Sequence, residues 1–281
     1  MPAGAARPMG VFFMKFDKIL KTLTPGTESN FVAQFSEEEA EKNPFCRDFL
    51  SFLEYIKNHS PKLTVRGNLN LKDLAGINEI LIRKKEMAEK VGKYIYRIKS
   101  EDGMFYIRTL DTLTQVMGLC RKFRGRFRIV KDAEKKFSAL KSSVQLSLLW
   151  VSFTRYLNWA FLMYFENESL IAKILQERQN YVWLMLRDYD FTADGGWISI
   201  KNTLETLRKE HRIIWPTMRG DDVELALWGI ETVIFKELLE VFDFVEINRE
   251  TTKFRLSESG RKAIRASVPL GWGIIDFVGT S

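Results

Sequence analysis

Residues 119–130 read Leu119-Cys120-Arg121-Lys122-Phe123-Arg124-Gly125-Arg126-Phe127-Arg128-Ile129-Val130. Two short runs mixing apolar and basic residues flank Arg124-Gly125-Arg126. Glycine accepts the positive φ that a tight turn demands, so the stretch is expected to be a β-hairpin. Cations occupy five of the eight positions from Arg121 to Arg128. In regular strands Lys122, Arg124, Arg126 and Arg128 share one parity while Phe123 and Phe127 share the other, which predicts one cationic face and one face on the core.

Working upstream, Phe49, Leu50, Phe52, Leu53 and Ile56 recur at helical spacing within 45–58, and His59-Ser60-Pro61 stops that helix. Residues 63–70 read as a short extended or turn segment. Helical periodicity returns over 71–82 through Leu74, Ile77, Ile80 and Leu81. A third helix is expected over 108–117, closed by Gly118. Downstream, 174–186 reads as a helix, Trp197-Ile198-Ser199-Ile200 as a strand, 201–211 and 226–241 as helices, and 242–256 as a hairpin around Asn248-Arg249-Glu250. Both halves therefore repeat helix, strand, helix, helix, hairpin. The hairpin exits align in register: Phe127-Arg128-Ile129 followed by Ala133, Lys135 and Phe137, against Phe254-Arg255-Leu256 followed by Gly260, Lys262 and Ile264.

On these residues the chain resembles tandem winged-helix domains, in which a last strand of the form Phe-x-Leu-Ser/Thr-x-x-Gly leads into a closing helix. Phe254-Arg255-Leu256-Ser257-Glu258-Ser259-Gly260 fits that form. The first copy departs from it, with Val130 for Ser/Thr and Ala133 for Gly. Leu63-Thr64-Val65-Arg66-Gly67-Asn68-Leu69 also resembles a segment of bacterial plasmid-encoded and mobile-element proteins of unknown function. The resemblance covers about two thirds of the chain and implies two winged-helix-like domains, in a mainly α fold with small β-hairpins (α+β). It also implies that the helix before the first hairpin faces a major groove. There Arg108, Thr112 and Gln115 share one face and have the donor and acceptor geometry to read base edges. The equivalent second helix carries Glu231, Lys236, Glu237 and Glu240, poor chemistry for phosphate and better suited to protein.

Charge is partitioned in the same sense. Residues 51–150 hold 21 Lys and Arg against 10 Asp and Glu, a net +11, whereas residues 151–250 hold 11 against 17, a net −6. A basic half attracts phosphate and an acidic half is repelled by it, so the halves are expected to have different partners. Lys and Arg also protect an exposed strand edge, so a merely solubilising hairpin is the competing reading of Arg121, Lys122, Arg124, Arg126 and Arg128. The common sign of residues 51–150 favours nucleic acid.

The remaining features exclude more than they propose. With 46% apolar and 28% charged residues, 17 Gly and 7 Pro, the composition is that of a globular protein. Two Cys and two His at unrelated positions argue against a zinc site or a disulfide framework, and no cofactor is expected. His59 and His211 read as solvated surface residues, Glu37-Glu38-Glu39 as a solvated helix start, and no nucleophile motif or phosphate loop suggests an enzyme. Asp188, Asp190 and Asp194 lack the Gly and Glu positions of a calcium loop and read as a turn. The opening residues lack the form of a signal peptide, and those before Met14 read as an upstream extension. Residues 144–165 are long enough to span a membrane, but Arg155 at their centre costs about 2.5–3.5 kcal/mol, so a buried helix is expected instead.

The expected organisation is an N-terminal extension (1–30), a basic winged-helix-like domain (31–142), a connecting apolar helix (143–172), an acidic winged-helix-like domain (173–268) and a C-terminal tail (269–281). The expected role is a cytoplasmic, non-enzymatic protein that binds nucleic acid, duplex DNA first, with transcriptional regulation as one role open to it. The acidic domain would bind protein or form a homodimer, and no membrane is involved. The alternative is a protein-interaction scaffold whose hairpins are purely structural.

Overall fold

The computed structural model describes residues 15–21, 35–91, 94–163, 165–193, 196–217 and 219–268. Most of the expected N-terminal extension, the C-terminal tail, and Asp194 and Gly195 of the acidic loop lie outside them. The chain is mainly helical with small antiparallel sheets and divides into two compact units. Of the described residues, the first gathers 15–19, Asp48–Ala139 and Ser152–Asn158; the second gathers those within 20–47, Leu140–Val151 and those within 159–268.

In the first unit, the helix Pro44–His59 turns its apolar stripe inward from Asp48 on, burying Phe49, Phe52, Leu53 and Ile56. Phe49 meets Phe137 edge-on at 5.6 Å and Phe52 lies 6.2 Å from Phe127. Pro61 ends the helix, and the next residues run beside the basic hairpin: Phe127 N–H donates to the Pro61 carbonyl at 2.9 Å and Leu63 N–H to the Gly125 carbonyl at 2.8 Å. Asn70 caps the helix Leu71–Ile80 by accepting from Asp73 N–H at 3.0 Å. There follow a hairpin of Ala88–Val91 with Tyr94–Arg97, the helix Phe105–Val116, the hairpin of Cys120–Phe123 with Arg126–Ile129, and the closing helix Lys131–Ser138. Gly118, at φ +68°, reverses the chain out of Phe105–Val116.

The second unit repeats that order. Gln179–Thr192 leads to the strand Ile198–Ser199, the Ser199-capped helix Ile200–His211, and a two-residue-per-strand hairpin of Pro216–Thr217 with Gly220–Asp221. Val223–Glu231 continues as π-helix over Thr232–Leu239, and strands Val245–Asn248 and Lys253–Leu256 precede the closing helix Glu258–Ser267. Ile198–Ser199 pairs with Lys253–Leu256, which pairs with Val245–Asn248, giving a three-stranded sheet. The core is aromatic: Trp150 lies 5.1 Å from both Phe242 and Phe244 and 5.5 Å from Trp183, and its indole N–H donates to Ser267 Oγ at 2.9 Å.

The single apolar helix expected over 143–172 is not present. Ser142–Val151 is α-helical, Ser152–Tyr156 widens into a π-turn closed by Leu157 N–H on the Ser152 carbonyl at 2.9 Å, and Trp159–Leu162 and Glu166–Glu177 are separate helices. The break is stabilised because the Trp159 N–H freed from helix bonding donates to the Gln176 side chain at 3.0 Å. Among the described residues, no helix is long and apolar enough to cross a membrane. The expected helix 174–186 is likewise divided at Arg178, and the hairpins at 88–97 and 216–221 are additions that the sequence pattern did not signal.

Candidate nucleic-acid interface

The basic hairpin turns on two residues, Arg124 (φ +49°) and Gly125 (φ +68°), the double positive φ of the tightest hairpin turns. Its register is therefore Phe123 opposite Arg126, Lys122 opposite Phe127 and Arg121 opposite Arg128. Facing partners point to the same side of a pair, so Arg121, Phe123, Arg126 and Arg128 share the outer face while Cys120, Lys122, Phe127 and Ile129 share the inner one. The parity expected from the sequence is corrected on this point. A two-residue turn shifts the second strand's alternation, which exchanges the places of Phe123 and Lys122.

Phe123 is 41% exposed, although the sequence pattern assigned it to the core. The guanidinium groups of Arg121, Arg124 and Arg128 lie 5.2, 5.1 and 6.0 Å from its ring centroid. All three arginines are exposed, and among the described residues none has a carboxylate partner. Arg126 is tied down instead, its guanidinium donating to the Ser60 carbonyl at 2.9 Å from a half-buried position. A turn count of two would have exposed Phe123 from sequence alone.

Lys122 is partly exposed but reaches back to Asp111. Its ammonium lies 3.0 Å from Asp111 Oδ2 and 5.8 Å from the Phe127 centroid, so Lys122 anchors the hairpin from beneath and is withdrawn as a phosphate contact. Asp111 is 2% exposed and also accepts from Gln115 Nε2 at 2.7 Å. Beside it the buried carboxyl of Glu101 hydrogen-bonds the Asp111 side chain and accepts from Leu69 N–H at 2.7 Å. Burial, then the Asp111 charge, pushes the Glu101 carboxyl up to about 8, with Lys122 opposing. The raised value favours the protonated form of Glu101, whose O–H donates a hydrogen bond to the Asp111 carboxylate.

A carboxyl whose folded-state value is raised stabilises the fold fully below its ordinary 4.5, and that stability is lost as pH climbs through about 8. We expect the unfolding free energy of the first unit to fall between those limits, by up to about 1.4 kcal/mol per pH unit, and Glu101→Gln to flatten the dependence. Urea unfolding followed by far-ultraviolet circular dichroism at pH 5, 7 and 9 measures it. A wild type and variant of equal slope would contradict the shift.

The helix before the hairpin is not available to DNA. Thr112 and Gln115 are each 4% exposed, Thr109 and Asp111 are buried with them, and Arg108 is half-buried. The expectation that Arg108, Thr112 and Gln115 form a base-reading face is corrected: the segment Ser152–Tyr156 and the helix Leu71–Ile80 pack on Phe105–Val116 and cover it. Its polar residues serve the interior, Gln115 through Asp111 and Thr114 through a bond to the Asp111 carbonyl at 2.7 Å.

The equivalent hairpin of the second unit is neutralised. Arg249 pairs with Glu240 at 3.2 Å and Arg255 with Glu246 at 2.6 Å, the latter guanidinium also 4.9 Å from the Trp197 centroid. In the helices beside it, Arg261 pairs with Asp190 at 3.1 Å and Lys262 with Glu39 at 2.8 Å. Asp188 and Asp190 sit on the helix Gln179–Thr192, held by Arg187 and Arg261, and do not form the expected turn. Glu37 is bonded by Ser143, and Glu39 by Lys262, so this helix start is less solvated than expected. His59 is exposed and stacks on Tyr55 at 4.2 Å, but His211 is buried, edge-on to Tyr181 at 5.1 Å, and burial followed by Arg178 lowers its pKa.

Comparisons with protein families, curated proteins and solved structures find no match to this chain.

Proposed function

We propose that this chain is a non-enzymatic protein that binds nucleic acid, duplex DNA first, through the outer face of the basic hairpin, and that both units are winged-helix-like. The carrying observation is a contrast. Arg121, Arg124 and Arg128 surround an exposed Phe123 without a carboxylate partner among the described residues, whereas Arg249 and Arg255 of the second hairpin are each paired with a glutamate. Arginine left unpaired and held over an aromatic ring is suited to phosphate oxygens and to the narrow minor groove. The repeated order of helix, strand, helix, small hairpin, helix, hairpin and closing helix supports the winged-helix reading.

Because the helix before the hairpin is covered, binding is proposed to read backbone and groove shape without base-edge contacts from Thr112 or Gln115. Regulation of transcription, in the cytoplasm, is a role compatible with such occupancy. The second unit is proposed to meet protein or a second copy of itself. Its paired arginines support this, as do the exposed Val223, Leu225 and Trp228.

The test is fluorescence anisotropy of a mixed-sequence duplex at several salt concentrations, comparing wild type with the triple variant Arg121→Ala, Arg124→Ala, Arg128→Ala and with Arg249→Ala, Arg255→Ala. Losing three phosphate contacts is expected to lower affinity at least about 100-fold and to flatten the log–log salt slope by about 3, while the second variant changes little. Equal binding by the wild type and the triple variant would transfer support to the scaffold reading.

A further inference from the structure

A groove of about 780 Å³ opens on the first unit between the last turn of Pro44–His59, the hairpin strands and the start of Lys131–Ser138. Its cations are Lys57, Arg121, Arg128, Lys131 and Lys135, and its carboxylates are Asp132 and Glu134. Glu134 is occupied by Lys57 at 3.0 Å. That leaves four cations without a carboxylate partner among the described residues, facing one carboxylate.

Two of these cation pairs are arranged at a cost. Arg121 stands directly opposite Arg128 across the strands, and like charges in that relation repel. Lys131 and Lys135 stand one turn apart on the same helix, where like charges also repel. Asp132 stands three residues before Lys135 on that helix and offsets part of the lysine repulsion, whereas Arg121 and Arg128 have no carboxylate partner among the described residues. The helix that carries the lysines begins at the groove with Val130, whose side chain offers no cap, and its first turn carries Asp132 and Glu134.

We propose that this groove is a second phosphate seat, taking the sugar–phosphate backbone of the same nucleic acid that the hairpin tip engages. The inference rests on the nucleic-acid reading and adds Lys131 and Lys135, which that reading does not use. A polymer is favoured over a free anion by span. Arg128, which lines the groove, lies two residues along the strand from Arg126 beside the tip, about 7 Å at ~3.3 Å per residue, a spacing that successive phosphates of one strand can bridge and a single small anion does not.

The experiment measures binding of a fluorescent duplex by wild type, Lys131→Gln/Lys135→Gln and Arg124→Ala at several salt concentrations, with competition by inorganic phosphate and tripolyphosphate at constant ionic strength. These are exposed side chains, and far-ultraviolet circular dichroism verifies folding. The groove variant is expected to lose about 10-fold or more in affinity and to flatten the salt slope by 1 to 2, with weak competition from either free anion. If Arg124→Ala weakens binding while the groove variant matches wild type, the inference falls and the nucleic-acid reading stands. If neither variant nor the triple arginine variant changes binding, both fall. Strong competition by free phosphate that is lost only in the groove variant, with duplex affinity unchanged there, makes the groove a small-anion site and overturns the proposal.

Discussion

Gly260→Ala is expected to destabilise the second unit by about 3 kcal/mol, far more than a helical glycine-to-alanine change normally does. Helix propensity favours the alanine by up to about 1 kcal/mol, so the sign is decided by packing. A Cβ on Gly260 would fall 2.9 Å from the Phe244 carbonyl carbon and closer still to its oxygen, and both are backbone atoms that no rotamer change can move. Relief requires the helix Glu258–Ser267 to lift from the chain at Phe244. That would strain the bonds Ser257 Oγ makes as cap, to Gly260 N–H at 3.1 Å and to the Asp243 carbonyl at 3.0 Å. The described tryptophans all belong to the second unit, so urea unfolding followed by tryptophan fluorescence isolates this effect. A variant as stable as wild type would show that the closing helix does not need this approach. Ala133 holds the matching position of the first unit and is buried there.

Asp111→Ala is expected to cost the first unit about 2–3 kcal/mol, because Asp111 is buried and its removal leaves buried polar partners unsatisfied, while the partly exposed Lys122 regains water. The loss strands three groups: the Lys122 ammonium at 3.0 Å, the Gln115 amide at 2.7 Å, and the carboxyl of Glu101, which loses its acceptor. Replacing both charges, in Asp111→Ala with Lys122→Met, removes the unpaired cation and is expected to recover about 0.5–1 kcal/mol, since the partly exposed Lys122 is only one of the three groups affected. Chemical unfolding followed by circular dichroism measures the cycle; equal stability of single and double variants would mean that Lys122 and Asp111 are not coupled. The Lys122→Met change alone is expected to weaken the hairpin's anchorage without removing any of the three exposed arginines.

The secondary structure was largely legible. His59-Ser60-Pro61, Gly118 and Gly125 end or turn their segments where expected, and Phe49, Phe52, Leu53 and Ile56 are buried as their spacing implies. The hairpin's position was legible but its faces were not. Its register depends on Arg124, a non-glycine residue, adopting φ +49°, and that choice decides whether Phe123 or Lys122 shares the face of Arg121 and Arg128. The helix Phe105–Val116 misled for a different reason. Arg108, Thr112 and Gln115 look like a surface face by spacing, yet Ser152–Tyr156, some forty residues later in the chain, covers it. The apolar stretch 144–165 misled for the same reason, since a long-range bond from Trp159 N–H to Gln176 makes breaking the helix cheap.

By itself the sequence determined most of the helices, the turns at His59-Ser60-Pro61, Gly118 and Gly125, and the separation of basic from acidic halves. Each of these depends on contacts three or four residues apart, or on composition alone. Only the tertiary structure decided which cations remain free. Lys122 is neutralised by Asp111 and Arg126 is held by the Ser60 carbonyl 66 residues away, while Arg121, Arg124 and Arg128 are left facing outward. Charge pairing falls off within a few ångströms, so it follows the folded arrangement of distant segments and leaves no local trace in the chain.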